Sequence, residues 1–591
     1  MRKRSLYILL CCTFFVNTSF KTHSGIDNLI NSKAKYHSFL YDIPQDFFSS
    51  PVNRDLKLSG TFGELRANHF HAGLDIKPSA GVPGDPIFAA GEGFISRIRI
   101  DPTGYGNLLM IQHPNGLTSL YAHLQKFTPE ITEYMYAQLN SLQTYDVDIR
   151  VPSTVFPVKS GTPIAFMGNT GASNGAHLHF EIRETTTDMA INPLMFRLPI
   201  TDHTQPWMNS IKAYSINDDL ECTKELLLPL VKVRNGIYRI NRDTLTLGSD
   251  RIGFAVSTFD SHDGNWNRNG VYSIKMYVDE VLKYQFNMDS IYFEESRYCN
   301  AHMDYSEKVR RNSYFHRCYA LPGNKLPIYS VNQGIVPIST DKAQKIRIES
   351  GDHFGNVSKT EFYVKRGSMD DPGQPCKKFE YKVAYDRPQY IDKEDASFHF
   401  SQGTLYDDAF IDLQRQQDPL LTPYSGVYKI GDPYTPLHQG LEIAFKRPGI
   451  PQDRRSNAYV AEIRSQPIPV FCGNVWSGDS LIGKSKNFGT FCVKIDSIGP
   501  KIRPIIFGAN MTKSSVMAFN MSDNVKYPSK VKGIKYEVRI DGQWVFMSYD
   551  PSNGSLKMPL KSGQYTGTHA LRIEASDLAG NTTVFESNFS R

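Results

Sequence analysis

Along most of the chain, apolar and polar residues alternate in short stretches closed by Gly, Asn, Asp or Pro. A period of two puts one set of side chains on a single face, so these stretches predict strands. Between residues 46 and 200 the clearest are 91–100 (GEGFISRIRI), 107–113 (NLLMIQH), 117–124 (LTSLYAHL) and 177–183 (HLHFEIR). Asn115-Gly116 supplies a hairpin turn between two of them. One segment departs from this texture. Ile131, Tyr134, Met135, Leu139 and Leu142 recur with helical spacing after Thr128-Pro129-Glu130. Thr128 can cap and Pro129 suits a first turn, so a short amphipathic helix is expected over 128–143.

Beyond residue 200 the alternation continues with many Tyr and Thr, which predicts β-sandwich modules. An internal repeat runs through them. Residues 269–279 (NGVYSIKMYVD) resemble 532–541 (KGIKYEVRID), and each is followed later by a similar close, 352–356 (DHFGN) and 577–581 (DLAGN). Gly-Asn there suits a turn before a last strand. Residues 370–376, with Asp370, Asp371, Pro372, Gly373 and Pro375, read as a linker. The expected class is mainly β: an antiparallel domain at 46–200, then about three β-sandwich, immunoglobulin-like modules at 201–370, 371–500 and 501–591.

The first residues change the setting. Arg2, Lys3 and Arg4 precede an apolar run from Leu6 to Val16, followed by Asn17, Thr18 and Ser19. That is the layout of a secretory signal peptide over 1–20, and the run is short for a membrane span. The preferred reading is simple cleavage, with no integral membrane segment afterwards and an exported protein. Six cysteines follow the leader: Cys222, Cys299, Cys318, Cys376, Cys472 and Cys492. None forms a CxxC pair, which argues against a thiolate zinc knuckle. Export makes Cys299 with Cys318, and Cys472 with Cys492, candidate bridges, with buried free thiols as the alternative. A net charge of +6 on 591 residues gives no footprint for nucleic acid.

Two clusters carry chemistry: His71-Ala72-Gly73-Leu74-Asp75 and His177-Leu178-His179. A catalytic zinc wants three protein ligands and one open position, from imidazole or carboxylate. His71 and Asp75 can supply two ligands from one turn, with Gly73 allowing the backbone to bend between them. In a strand His177 and His179 share a face, so one can bind metal while the other stands beside the reacting water. A glycine-rich loop, 168–175, precedes this pair, and no Lys follows it as a phosphate loop would require. His69 and His113 read as structural.

The segments HAGLD, LYAHL, GNTGASNGAHLHFEIR and INP resemble the lysostaphin/LytM family of zinc peptidoglycan endopeptidases over roughly residues 60–196. The resemblance implies one Zn²⁺ per chain on His71, Asp75 and His179. It implies that His177 and His123 flank the water and the scissile carbonyl, with His177 as the main general base. Arg66 would lie near the groove, placed to bind a substrate carboxylate or else to form a surface salt bridge. The implied substrate is the stem-peptide cross-link of peptidoglycan, and the implied location is the periplasm or cell surface. The β modules, which lack a catalytic cluster, are expected to position the enzyme or to meet an envelope protein partner. Two other readings are a non-catalytic wall-binding activator of other hydrolases and an exported protease of proteins. A chain ending near residue 200 is expected to keep the chemistry.

Overall fold

A computed structural model describes residues 44–101, 103–145, 147–216, 225–367, 379–465, 468–528 and 533–591. The leader at 1–20, Cys222, Cys376, the 370–376 linker and Lys532 lie outside the described residues. Strands hold 47% of the described residues and helices 8%, so the mainly β expectation holds.

The sheet that carries the candidate chemistry is antiparallel, in the order Leu58–Gly60, Leu74–Ile76, Leu178–Glu184, Leu117–Leu124, Gly106–Gln112, Gly93–Asp101 and Val147–Arg150. Its register puts Asp75 and Ala122 on either side of His179. His123 follows at a β-bulge, where Leu117–Leu124 shifts against Gly106–Gln112. Its backbone is left-handed, φ 58°. A bulge re-aims a side chain that strict alternation would send to the opposite face. Gly73 acts differently from the expected bend. A Cβ there would sit 2.3 Å from the carbonyl oxygen of Phe180. The residue is glycine because Leu74–Ile76 must approach the histidine strand closely.

The inserted helix is Pro129–Leu142, with Ile131, Met135 and Leu139 buried. Leu142 falls outside the stripe at 65% exposure. Thr128 is extended at the N-terminus but its side chain makes no capping bond. The insertion reaches the last module. Tyr136 meets Phe546 edge-on, and the Tyr145 ring lies 4.3 Å from Tyr536 and 4.8 Å from Trp544. The Tyr145 hydroxyl accepts from Val538 N at 2.7 Å and donates to Val545 O at 3.0 Å.

Three further β regions follow. In the first, Ser273–Val278 pairs with Gln344–Gly351, which pairs with Val357–Arg366. The last region repeats this with Lys535–Ile540, Thr568–Ser576 and Thr582–Ser590. The sequence repeat is thus a repeat of strand pairing. Between them, Phe398, Phe400 and Phe445 from one sheet pack against Tyr428, Val460 and Phe491 from another.

The boundary at residue 200 crosses a continuous core. Phe62, Leu65 and Phe70 share one apolar cluster with Ile274, Met288 and Phe286. Ser290–Ile291 adds a strand beside Ala190–Ile191. Exposing three such side chains costs about 5–9 kcal/mol, comparable with the whole stability of a domain. A chain ended near residue 200 is therefore expected to lose cooperative thermal unfolding, contrary to the sequence expectation, whereas one ended at 367 should keep it. Circular dichroism melting of the two chains checks this. A cooperative transition in the shorter chain would overturn it.

Neither candidate bridge forms, and the alternative of free thiols holds for all four cysteines, Cys299, Cys318, Cys472 and Cys492. Cys472 packs toward the core between the two sheets of its module, while Cys492 joins Tyr459, Ala461 and Phe471 on the other face of its sheet. Facing apart, they have no path to a bond. Cys299 and Cys318 are both buried in the large core of the preceding region, and burial pushes both thiols up.

Candidate metal centre and its histidines

Three buried side chains converge at the head of the sheet. His71 Nε2 lies 2.8 Å from Asp75 Oδ1 and 3.0 Å from His179 Nδ1, and His179 Nδ1 lies 2.9 Å from the same carboxylate oxygen. The outer ring nitrogens decide what these inner atoms are. His71 Nδ1 donates to the Thr61 carbonyl at 2.7 Å, and His179 Nε2 donates to Glu181 Oε1 at 2.7 Å. With those protons fixed outward, neutral histidines turn lone pairs inward, beside a carboxylate oxygen. Three acceptors within 3.0 Å of one another need a positive charge between them. The donor set, two imidazole nitrogens and one carboxylate oxygen, fits a divalent transition metal with an open position.

The charges agree with this. Burial pushes Asp75 upward, yet the neighbouring His71, His177 and His179 hold its carboxyl well below the usual range. Burial alone would lower His179, but Asp75 and Glu181 raise it to about 9, so without a metal a proton on Nδ1 holds the place that the cation would take. The two carboxylates draw cationic charge to this spot.

His177 and His123 form the adjacent wall. Their rings lie 4.7 Å apart, and His177 Nε2 is 3.4 Å from Asp75 Oδ1. His177 Nδ1 donates to the Gly175 carbonyl and His123 Nδ1 to the Thr170 carbonyl, both at 2.8 Å. A neutral ring at either place therefore has its free lone pair at Nε2. Both acceptors belong to the glycine-rich loop, so the loop sets these two tautomers. Burial, then the nearby His179 and His177, lowers His123 to about 3 and keeps it neutral. His177 is half-buried, more open than His71, His123 and His179.

Arg66 reaches the site from the side. Its Nη2 donates to Asp75 Oδ2 at 3.1 Å, and its Nε lies 3.1 Å from Glu64 Oε1. Its first partners are thus carboxylates of the chain itself. A Cβ on Gly60 would lie 2.6 Å from Arg66 Nη2 and 2.7 Å from Asp75 Oδ2, so this pair needs glycine there. His69 is exposed and bonds the Ala67 carbonyl, outside the cluster. His113 bonds Glu92 O and Ser119 Oγ, and burial lowers it to about 4.

Sequence reasoning missed what stands behind His179. Glu181 is fully buried, and its Oε2 accepts from Arg183 Nε at 2.6 Å. Tyr105 donates to Glu181 Oε1 at 2.8 Å, and Arg183 donates to the Tyr105 hydroxyl at 2.9 Å. The signal was legible: in HLHFEIR the positions 177, 179, 181 and 183 alternate, which places a carboxylate and an arginine on the histidine face.

The sequence profile of peptidase family M23 matches residues 69–138 and 130–193. These ranges include His71, Asp75, His123, His177 and His179. The profile of the Zu5-like domain matches residues 380–496. Among curated proteins, the chain is 33% identical to the DD-carboxypeptidase/endopeptidase Mpg of Neisseria meningitidis serogroup B, over 25% of this chain and 29% of that protein. It is 31% identical to the murein hydrolase activator NlpD of Escherichia coli, over 24% of this chain and 29% of that one. The solved catalytic domain of the antimicrobial peptidase lysostaphin from Staphylococcus simulans is 23% identical, covering 24% of this chain and 91% of that domain, with a TM-score of 0.18. Residues 69–193 thus carry a peptidase M23 domain. The match spans under a third of the length of Mpg and NlpD.

Proposed function

We propose that this chain is an exported zinc endopeptidase that hydrolyses peptide cross-links in bacterial peptidoglycan, in the periplasm or at the cell surface. The observation that carries the reading is the trio of inward lone pairs on His71, Asp75 and His179, with two further histidines presenting Nε2 beside it. One zinc ion held by that trio would polarise the scissile carbonyl and lower the pKa of water. The chain's own residues do the rest. His177 Nε2 takes the proton of the attacking water and returns a proton to the leaving amine. His123 orients the water beside it. Thr170 and Gly175 keep both rings in the tautomer that accepts a proton at Nε2. Arg66 holds Asp75 from its outer oxygen, keeps Nε beside Glu64 and leaves Nη1 to a substrate carboxylate.

Similarity to NlpD favours a second reading, a wall-binding activator of other hydrolases. Incubating the purified full chain with isolated peptidoglycan separates the two. Under the first reading, mass spectrometry finds cross-linked muropeptides converted to uncross-linked ones, and a chelator stops the conversion. No conversion by the chain alone, with release only when another hydrolase is added, would overturn it.

Glu181 has a separable role. By fixing the His179 tautomer and ring, it should raise metal affinity. Glu181→Gln keeps the shape but loses the charge, so affinity for zinc is expected to fall about 10- to 100-fold. Competition with a zinc chelator measures this. Parental affinity in the variant would show that Glu181 serves only the fold.

A further inference from the structure

Two acidic boxes lie outside the histidine site, at matching places in the repeated β regions. In the first, Asp202 precedes strand Trp207–Ile216, Asp260 follows Arg251–Phe259, and Asp352 follows Gln344–Gly351. In the second, Asp496 precedes Lys501–Ile506, Asp523 follows Val516–Ser522, and Asp577 follows Thr568–Ser576. Ligand atoms of Asp202, Asp260 and His262 lie within 4.8 Å of one another, as do those of Asp496, Asp523 and Asp577.

One corner of the two boxes corresponds bond by bond. Asn356 N and Nδ2 donate to the two oxygens of Asp352, and Nδ2 also donates to the Asp202 carbonyl at 3.1 Å. Asn581 makes the same contacts to Asp577 and to the Asp496 carbonyl, again at 3.1 Å. Asp202 Oδ1 accepts from Thr204 N, and Asp496 Oδ1 accepts from Ile498 N, each two residues on. The DxxGN segments seen in the sequence are thus one corner of a carboxylate cage built twice.

A cluster of carboxylates alone proves nothing, but here oxygens are left over. Asp202 Oδ2, Asp260 Oδ1 and Asp496 Oδ2 are buried with no hydrogen-bond partner. Their residues are 6%, 2% and 2% exposed. Among the described residues, no lysine or arginine pairs with any of the six aspartates; the recorded ionic neighbour is His262, 3.6 Å from Asp260. Buried carboxylates without a cation are costly, and such groups are normally paired or bound to metal.

We propose that each box binds one hard divalent cation, of the calcium class, and that the two ions brace the entries to the first and last β regions. What the boxes share is oxygen, since the second has no histidine, and oxygen cages of several carboxylates suit calcium. The second box also adjoins the preceding module. Asn457 Nδ2 donates to Ala579 O and to Asn581 Oδ1, and Asn474 Nδ2 donates to Leu578 O. An ion there would fix the loop that these side chains hold.

The test uses the full chain with its histidine site saturated by zinc. Equilibrium dialysis with radioactive calcium at about 1 mM, the affinity range of extracellular modules, is expected to find two ions per chain. Asp260→Asn and Asp523→Asn should each remove one, and the double variant both. Terbium luminescence reports the second box independently, because Tyr527 lies 2.9 Å from Asp523 and can sensitise the ion. The signal should vanish in Asp523→Asn. Thermal unfolding guards against simple misfolding. Calcium should raise the parent's unfolding temperature but not that of the double variant. Without calcium the double variant should unfold no lower than the parent, since repulsion has been removed. No bound calcium in the parent, or two ions retained in the double variant, would overturn the proposal. Loss from only one single variant would overturn it for the other box.

Discussion

A His179→Ala chain is expected to lose its zinc, with affinity falling more than the roughly 100-fold that removal of an outer partner brings. His179 Nδ1 contacts both other members of the trio, at 3.0 Å from His71 and 2.9 Å from Asp75, so its loss removes the shared corner. The two atoms that remain cannot complete a three-ligand site. Hydrolysis should disappear with the metal and should not return at moderate zinc excess. The fold should survive. Glu181 keeps its bonds from Arg183 and Tyr105, so the truncation leaves no isolated charge in the interior. Elemental analysis after gel filtration gives the metal content, and a melting curve shows whether the sheet is intact. Unchanged zinc in a folded His179→Ala chain would refute the ligand trio, whatever the activity.

Local spacing made the two clusters legible, while the choice of His179 over His177 as ligand came from the family resemblance. The HxxxD and HxH patterns needed only strand alternation and close packing to converge, and the structure brings His71, Asp75 and His179 within 3.0 Å. The helix at Pro129–Leu142 was legible for the same reason, since Ile131, Met135 and Leu139 declare a single face. What stayed hidden depends on non-local contact. Strand periodicity does not foretell the bulge at His123, which is fixed by how Gly106–Gln112 pairs with Leu117–Leu124. The use of Gly73 could not be read without knowing that Phe180 passes beside it. The core joining Phe62 and Phe70 to Phe286 links residues more than 200 positions apart. The cysteine pairs were plausible by separation alone, but Cys472 and Cys492 occupy opposite faces. The acidic boxes were half visible. DxxGN appeared as a turn, and only the fold shows Asp202 with Asp260 and Asp496 with Asp523 beside it.

His177→Ala tests the chemistry without the metal. His177 lies outside the trio, and its nearest trio atom is Asp75 Oδ1 at 3.4 Å, so zinc content should stay at one per chain. The backbone bridge from His177 to Gly168 does not involve the imidazole, so the strand should keep its place. The substitution removes the half-buried Nε2 and the Nδ1 bond to Gly175. A positioned general base typically contributes about 10²–10⁴-fold to rate, and the fall is expected in kcat, with KM for a cross-linked muropeptide little changed. His123→Ala should be milder, because in the proposed mechanism His123 orients the water while His177 carries its proton. Roles assigned the wrong way round would show at once: His123→Ala would then be the more severe variant with zinc intact. If His177→Ala retains zinc and cleaves peptidoglycan at the parent's rate, His177 is not the base, and the proton must leave by another route.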